Sequence, residues 1–528
     1  MPAHAYLRPD VIIEPLMNKW HATPLLVAPA TSAMLFANKC LPIMRSFLLS
    51  PDEHFAASKN PQLAGGPFVA YPPSRVPDVK ALIDRTLQDQ APLFELAGAI
   101  KKLSTALDGA AGDSLESRYN LVPPALRGRV ELVYDPADRP SFRFIERLLY
   151  RHFARPSAQS VTVYASETDE RPFALSTPRL LDPPGIHLDV SFGDPKLSAL
   201  ASMRSRPRPL AEISELLSVS AHDAAAFASF FTEQAPPPRP AYEEDTPRVR
   251  YIGHACVLVE CGGASMLFDP FIGYENERGI PRYSYASLPD VIDCLVITHA
   301  HLDHCVPETL IQLRHKTKTV IVPKSSGGRL VDPSLKLVVE ALGFTDVREL
   351  DEFETFAASS QLGVTAVPFF GEHGDLEISA KAAYVVNANG KKIMLAADSN
   401  VLDPEIYENV RDFVGPVDVL FLGMECVGAP MSWSYGPLFP KPPNRKFDQQ
   451  RRINGANCER GLSLVDSMKP AQVFIYAMGQ EPWMTHVMGL NYEPTSPQLV
   501  ESQKFIETCK ARGLVAERLY GRAEIYLP

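Results

Sequence analysis

Hydrophobic positions recur at helical spacing early in the chain and at strand spacing further on. Between residues 93 and 107, four leucines and one isoleucine recur at steps of three and four residues, which predicts an amphipathic helix. Residues 160–164 alternate between apolar and polar side chains, which predicts a half-buried strand. No catalytic motif occurs in residues 1–232, so we predict a mixed α+β domain there.

A proline-rich, acidic segment divides the chain. Residues 233–247 contain three consecutive prolines, then Pro240 and an acidic run, a composition typical of a stiff, solvated linker. After it, apolar segments at 249–260, 264–270 and 294–297 each predict a strand. We therefore expect a second domain over residues 248–528, built from sheets covered by helices.

Composition narrows the class of protein. The 528 residues are 45% hydrophobic and 22% charged, as in globular proteins, and the net charge of −10 argues against a nucleic-acid or anionic-membrane partner. The N-terminus has no basic region followed by an apolar core, and no apolar stretch is long enough to span a membrane. The eight scattered cysteines form no C-x-x-C pair. We expect a cytoplasmic protein with reduced thiols.

The strongest chemical signal is His-x-His-x-Asp-His, directly after the strand predicted at 294–297. Chance explains it poorly, because the chain has only 13 histidines. His299 and His301 can turn toward one metal ion, while Asp303 and His304 can turn toward a second. The motif therefore predicts a dinuclear metal site on a loop at a strand end.

This motif resembles that of the metallo-β-lactamase superfamily, which implies an αββα sandwich over residues 248–528. The segments 252–255 and 268–270 resemble the opening strands of that fold, and 390–399 resembles the strand that ends in its bridging aspartate. The resemblance implies that Asp398 is a carboxylate shared by both metals. We expect His254 to orient a ligand rather than to bind metal.

The residue that completes the metal shell stays open at this point. Only His373 and His486 follow His315. Glu372 and His373 are adjacent, and neighbours in an extended segment point in opposite directions, so we expect only one of them to reach a metal. His486 lies well past the strand predicted at 472–476, whereas the superfamily's last histidine usually lies nearer to that strand.

Five further segments resemble the dinuclear-iron β-hydroxylases of chloramphenicol biosynthesis. They are residues 8–16, 371–376, 423–426, 476–483 and 521–527. In that family a glutamate replaces the usual third histidine, and the resemblance implies that this residue is Glu372. It implies one iron held by His299, His301 and Glu372, a second iron held by Asp303 and His304, and Asp398 as the bridge, with Glu372 and Asp398 as the catalytic residues.

The same resemblance implies a reaction. Two irons would bind O2 and hydroxylate the β-carbon of an amino acid held as a thioester on a peptide-synthetase carrier domain, with an external electron donor. It also favours a homodimer. The alternative is a dinuclear zinc hydrolase that cleaves an ester, lactone or phosphodiester, in which His373 rather than Glu372 would bind the metal.

A few other residues carry predictions. A basic cluster could meet an acidic carrier domain, or could be a solvated loop or form internal ion pairs; it contains Lys441, Arg445, Lys446, Arg451 and Arg452. Glu425 and Glu481 could accept from ligand imidazoles or could be cap or surface residues. We expect Cys305 to be a packing residue, Tyr476 to lie in the core, and Trp433 to lie in the core or a pocket wall.

Overall fold

The computed structural model describes residues 4–180, 185–239, 241–276 and 279–528; Met1, Pro2 and Ala3 of the N-terminal segment and Pro240 of the predicted linker lie outside them. Its strands are β1 (Tyr6–Leu7), β2 (Val11–Met17), β3 (Trp20–His21), β4 (Val130–Tyr134), β5 (Pro140–Phe144), β6 (Gln159–Ala165), β7 (Ile186–Leu188), β8 (Phe231–Thr232), β9 (Arg248–Gly253), β10 (Cys256–Cys261), β11 (Ala264–Phe268), β12 (Ile292–Val296), β13 (Thr317–Pro323), β14 (Val347–Leu350), β15 (Thr355–Ala357), β16 (Leu362–Val367), β17 (Ala383–Ala388), β18 (Lys391–Leu395), β19 (Val419–Gly423), β20 (Gln472–Tyr476), β21 (Val515–Arg518) and β22 (Ala523–Tyr526). Its α-helices are α1 (Pro24–Val27), α2 (Pro29–Leu35), α3 (Leu41–Leu49), α4 (Pro51–Ser58), α5 (Val76–Asp89), α6 (Ala91–Leu107), α7 (Glu146–Phe153), α8 (Pro195–Ser202), α9 (Leu210–Leu216), α10 (Ala224–Ser229), α11 (Pro307–Leu313), α12 (Leu335–Ala341), α13 (Pro404–Val414), α14 (Met431–Tyr435), α15 (Arg445–Asp448), α16 (Cys458–Met468), α17 (Thr485–Met488) and α18 (Pro497–Ala511).

Two seven-stranded sheets form the second part of the chain. Their strand orders are β14-β13-β12-β11-β10-β9-β22 and β15-β16-β17-β18-β19-β20-β21. Apolar side chains from both sheets, including Val257, Phe268, Tyr384 and Phe421, fill the layer between them. Helices α13, α16 and α18 cover the outer face of the second sheet, and α11 and α12 cover that of the first. The predicted αββα sandwich is confirmed.

The N-terminal part is a mixed α+β region, as predicted. It contains a four-stranded sheet of order β3-β2-β6-β7 and the helix α6, whose leucines and isoleucine at the predicted spacing are all buried. Its apolar side chains belong to the same continuous core as α11 and α12. The N-terminal part is thus packed onto the helical layer of the first sheet. Among the described residues, no helix has both the length and the apolar character needed to cross a membrane.

Two predicted segments differ from the structure. The single strand predicted at 249–260 is a hairpin of β9 and β10, because Gly253 (φ +124°) and His254 (φ +54°) reverse the chain between them. The predicted linker is anchored rather than freely solvated. The backbone N–H groups of Gly262 and Gly263 donate to the carbonyl oxygens of Glu244 and Tyr242, although the acidic side chains there stay exposed.

Candidate dinuclear metal site

The loops that follow the central parallel strands of both sheets meet at one edge of the sandwich. Strands β11, β12 and β13 run parallel in the first sheet, and β18, β19 and β20 run parallel in the second. Asp269 follows β11, and the His-x-His-x-Asp-His motif follows β12. Asp398 follows β18 and Glu425 follows β19. Parallel strands therefore deliver most of the candidate ligands to one place.

The first group of potential ligands comes from the loops after β12 and β16. Its members are His299, His301, Glu372 and His373, whose ligand atoms all lie within 4.8 Å of one another. Nδ1 of His301 lies 3.1 Å from Nε2 of His299 and 2.8 Å from Oε1 of Glu372. The Tyr435 hydroxyl lies 2.7 Å from the other ring nitrogen of His301. The group can surround one ion with imidazole and carboxylate donors.

Glu372 and His373 both face this group, so the geometric reason for expecting only one of them to reach a metal does not hold, and which of them binds stays a prediction. That expectation assumed extended backbone, but Glu372 has a φ of +65°. The resulting turn places Nδ1 of His373 2.9 Å from Oε2 of Glu372. The rings of His301 and His373 stack with their centroids 4.8 Å apart. Glu372 and His373 can therefore act on the same ion together.

A second group of ligand atoms surrounds His304. Its Nε2 lies 3.0 Å from Oδ2 of Asp398 and 3.5 Å from Oδ2 of Asp303. Nε2 of His304, Oδ1 of Asp398 and Oε2 of Glu372 are buried and make no well-directed hydrogen bond among the described residues. The close neighbours of Nε2 and Oε2 are themselves candidate ligands, Asp398 and His373. Buried polar atoms without well-directed hydrogen bonds are costly, and a bound cation would offset that cost. The donor set of this chain therefore fits metal ions.

Asp269 holds His304 in place, a role that the motifs in the sequence did not reveal. Its Oδ2 lies 2.8 Å from Nδ1 of His304 and accepts from the Thr298 hydroxyl at 2.6 Å, while its Oδ1 accepts from the Thr298 N–H at 2.7 Å. A carboxylate on Nδ1 directs Nε2 toward a metal. The available signal was an aspartate directly after a buried strand.

His254 contacts a predicted ligand in the way that we expected of an orienting residue. Its Nδ1 accepts from the Gly479 N–H at 3.1 Å, so in the neutral ring Nε2 carries the proton. That Nε2 lies 3.1 Å from Oδ2 of Asp303. The ring therefore donates to Asp303 and has no lone pair directed at a metal.

The electrostatics of the site reflect closely packed carboxylates. Burial would lower the pKa of His304, but the Asp398 and Asp303 carboxylates raise it well above its usual range. Burial, and then the nearby imidazole of His304, lowers the pKa of His299 well below its usual range. Burial, then the Asp398 and Asp303 carboxylates, raises the pKa of Glu425 well above normal. A cation bound among these groups would offset their mutual repulsion.

His486 lies outside both groups. It is buried in a separate cluster with His21 and Glu308. Its ring contacts those of His21 and Phe271 edge-on, with centroids 5.7 Å and 6.0 Å away. Burial, and then the positive charge of Arg171, lowers its pKa well below the usual range. The structure therefore does not bring His486 to the motif.

Three other residues singled out in the sequence are buried. Cys305 is buried, and burial raises the pKa of its thiol, as expected of a packing residue. Tyr476 is a core residue whose hydroxyl accepts from the Ala397 N–H at 3.0 Å, beside Asp398. Glu481 is buried and accepts from the Tyr251 hydroxyl. Glu481 is therefore not a surface residue.

A cavity of about 660 Å³ opens over the two ligand groups. Asp303, Glu372 and Asp398 line one end, together with Glu425. The N-terminal part contributes a wall of mostly apolar residues, and Trp433 lines the cavity as well. The arrangement is that of a buried cluster of candidate metal ligands beside a cavity large enough for a small-molecule substrate.

The fold and site define a metalloprotein of the β-lactamase superfamily with donors for two adjacent ions. Residues 265–442 match the family model described as a β-lactamase superfamily domain, and residues 6–236 match the diiron non-heme β-hydroxylase N-terminal domain. The chain is 37% identical, over 99% of both chains, to the 4-amino-L-phenylalanyl-[CmlP-peptidyl-carrier-protein] 3-hydroxylase of Streptomyces venezuelae.

The crystal structure of CmlA, a diiron β-hydroxylase from Streptomyces venezuelae, matches the whole chain with a TM-score of 0.93 and 36% identity, covering 100% of both chains. A match to Integrator complex subunit 11 of Gallus gallus, 38% identical, covers only 10% of each protein. The chain belongs to the diiron non-haem β-hydroxylase family, which implies two iron ions. Of the two predicted functions, membership of this family supports the hydroxylase and not the zinc hydrolase.

Proposed function

We propose that this enzyme uses two irons and O2 to hydroxylate the β-carbon of an amino acid held as a thioester on a peptidyl carrier domain. The observation that carries the proposal is the cluster of buried ligand atoms on His304, Glu372 and Asp398, which make no well-directed hydrogen bond among the described residues and lie beside a cavity that Glu372 and Asp398 line. Full-length similarity to a hydroxylase whose name specifies a carrier-bound aminoacyl substrate supports the substrate class.

The proposed ligands divide between two irons. His299, His301 and Glu372 hold one iron, whereas Asp303 and His304 hold the other. Asp398 bridges them, because its carboxylate adjoins His304 and shares a ligand group with His299. Three carboxylates make the set harder than a histidine-rich one, which suits iron better than zinc.

The irons, when bound, supply the activation of O2. One oxygen atom enters the β C–H bond and the other leaves as water, so the balance needs two electrons from an external donor and two protons. The protein's own part is positional: Asp269 fixes His304, His254 fixes Asp303, and His373 braces the Glu372 carboxylate. The homodimer stays a prediction.

The basic cluster supports the carrier-domain partner. Asp448, the one acid within residues 441–452, is buried and accepts from the backbone N–H and hydroxyl of Ser432 at 2.8 and 2.6 Å. Asp448 is therefore occupied internally. Lys441 is paired with Asp108, and Arg451 and Arg452 donate to the carbonyl oxygens of Gly374 and Gly428, so internal contacts engage three of the five members.

Arg445 and Lys446 are exposed and have no ion pair among the described residues, and Arg452 reaches the cavity wall. This loop is suited to meet an acidic carrier domain beside the cavity. We expect the double variant Arg445→Glu, Lys446→Glu to raise the KM for an aminoacyl carrier several-fold while leaving iron content unchanged. An unchanged KM would exclude this loop as the docking site.

Elemental mass spectrometry tests the metal assignment. Protein produced with iron and zinc both available should contain about two irons per chain. Glu372→Ala should reduce the iron content to about one and abolish O2-dependent hydroxylation, because one iron loses its carboxylate. The matched control is Glu377→Gln, an exposed acid on the same loop, which should retain both irons. Two zincs in the wild-type chain, or full iron content in Glu372→Ala, would overturn the proposal.

A further inference from the structure

Lys39 lines the cavity together with other residues of the N-terminal part. It belongs to a π-helical turn, Phe36–Cys40, between α2 and α3. Phe36 and Cys40 are buried in the N-terminal core, so the backbone that carries the lysine is firmly packed. A π-helical turn inside a helix is frequently associated with a functional site.

The ammonium group of Lys39 has no hydrogen-bond or ion-pair partner among the described residues. Asp332 is another acid that lines the cavity, and it is engaged elsewhere. Asp332 accepts from the backbone N–H groups of Ser326, Ser379 and Ala380. Burial lowers the pKa of Lys39 to about 8, and no carboxylate is close enough to raise it. Lys39 is half-buried, and a partly desolvated cation without a counter-ion is stabilised when a ligand supplies the anion.

The turn is tied to the metal side of the cavity. The side-chain amide of Asn38 donates to the carbonyl oxygen of Pro437 at 2.6 Å and accepts from the ammonium of Lys101 at 2.5 Å. Pro437 follows closely after Tyr435, whose hydroxyl contacts His301. Lys101 is thus satisfied, and Lys39 is held at a fixed position relative to the candidate ligands.

We propose that Lys39 forms an anion subsite of the substrate cavity, where its ammonium pairs with an oxyanion of the bound substrate. That oxyanion is either a carboxylate on the amino-acid side chain or the phosphodiester of the carrier arm. This inference rests on the proposed carrier-bound substrate. The other residues of this wall are mostly apolar, with Leu35 and Phe68 among them. Lys39 therefore supplies the positive charge that the wall offers to a ligand.

Isothermal calorimetry on the iron-loaded full chain at about pH 7 tests the subsite, because Lys39 is then mostly protonated. One probe pair is 4′-phosphopantetheine against pantetheine. The other is the N-acetylcysteamine thioester of L-aspartate against that of L-asparagine. The anionic member of one pair should bind about tenfold or more tightly, as expected for a charge-assisted contact. A preference within the first pair identifies the arm phosphate, and one within the second identifies the side chain.

Lys39→Met should remove that preference and leave the affinity for the neutral probe unchanged, which also shows that the variant is folded. Lys39→Arg should retain the preference. Arg45→Met, an exposed cation on α3, is the matched control and should behave as wild type. No preference in the wild type, or one that survives in Lys39→Met, would overturn the subsite. Failure of the proposed function would instead appear as absent iron or absent hydroxylation with the binding preference intact.

Discussion

The two ends of the cavity are built in opposite ways. At the metal end, polar neighbours brace several proposed ligands on the sandwich, as Asp269 braces His304 and His254 braces Asp303. At the N-terminal end, the wall consists mostly of apolar side chains such as Leu25 and Leu35, together with Lys39.

This contrast separates two tasks. The metal end needs fixed donor atoms, and strand ends cross-linked by hydrogen bonds supply them. The N-terminal wall shapes the cavity and contributes one charge, that of Lys39. Its described residues belong to neither ligand group. Substitutions at the metal end should therefore change metal content, whereas substitutions in the wall should change substrate binding alone.

Asp398→Ala should have the largest effect, because the variant removes the carboxylate that both irons share. We expect loss of most iron and a decrease in hydroxylation of at least about 100-fold. The matched control is Asp403→Asn, which keeps a capping side chain at the start of α13 and should retain both irons. Iron analysis and a turnover assay measure the two effects, and an active Asp398→Ala variant would refute the bridging role.

Asp269→Asn should have an intermediate effect at the same end. The amide keeps one acceptor oxygen but loses the charge that fixes the His304 ring, which should weaken iron binding about 10- to 100-fold. Competition with a chelator gives the affinity, and excess iron should restore much of the activity. The exposed Asp290→Asn is the control. Equal chelator sensitivity of the two variants would show that Asp269 does not position the ligand.

Leu63→Trp should leave the metals in place and alter only the wall. Leu63 lines the cavity and is 42% exposed, so a larger side chain narrows the chamber without disturbing the core. We expect several-fold higher KM for an aminoacyl carrier and unchanged iron content. Leu49→Trp, at a site 85% exposed and not among the cavity residues, should match wild type. Iron loss in Leu63→Trp would show that the two ends are not separable.

Glu146→Gln should have the smallest effect, on the contact between the N-terminal part and the sandwich. Burial raises the pKa of Glu146 from 4.5 to about 7, although the Ser334 N–H opposes the shift. The folded state therefore binds more protons than the unfolded state between these values, so this group makes stability fall as the pH rises through that window.

The glutamine variant cannot ionise at this position. The difference in the free energy of unfolding, variant minus wild type, should therefore increase from about pH 5 to about pH 8. Urea titrations of both proteins across this range measure the difference. A difference that does not change with pH would contradict the raised pKa.

Local pattern alone determined much of the protein. The helical repeat of apolar residues predicted α6, and apolar strands followed by His-x-His-x-Asp-His predicted the loop that carries His299 to His304. Such features depend on short-range spacing, which is visible in the chain itself. Asp398 was also identifiable, because residues 390–399 resemble a strand of the superfamily and Asp398 lies near the end of that segment, where the superfamily has its bridging aspartate.

Only the tertiary structure decided the rest of the site. Glu372 and His373 face the metals together because of one left-handed residue, a conformation that the apolar pattern does not encode. Asp269 meets His304, and Lys39 meets the cavity, through contacts between residues far apart in the chain. Packing of the N-terminal part onto the sandwich encloses the chamber. The sequence thus determined which donors exist, and the long-range packing determined which of them meet.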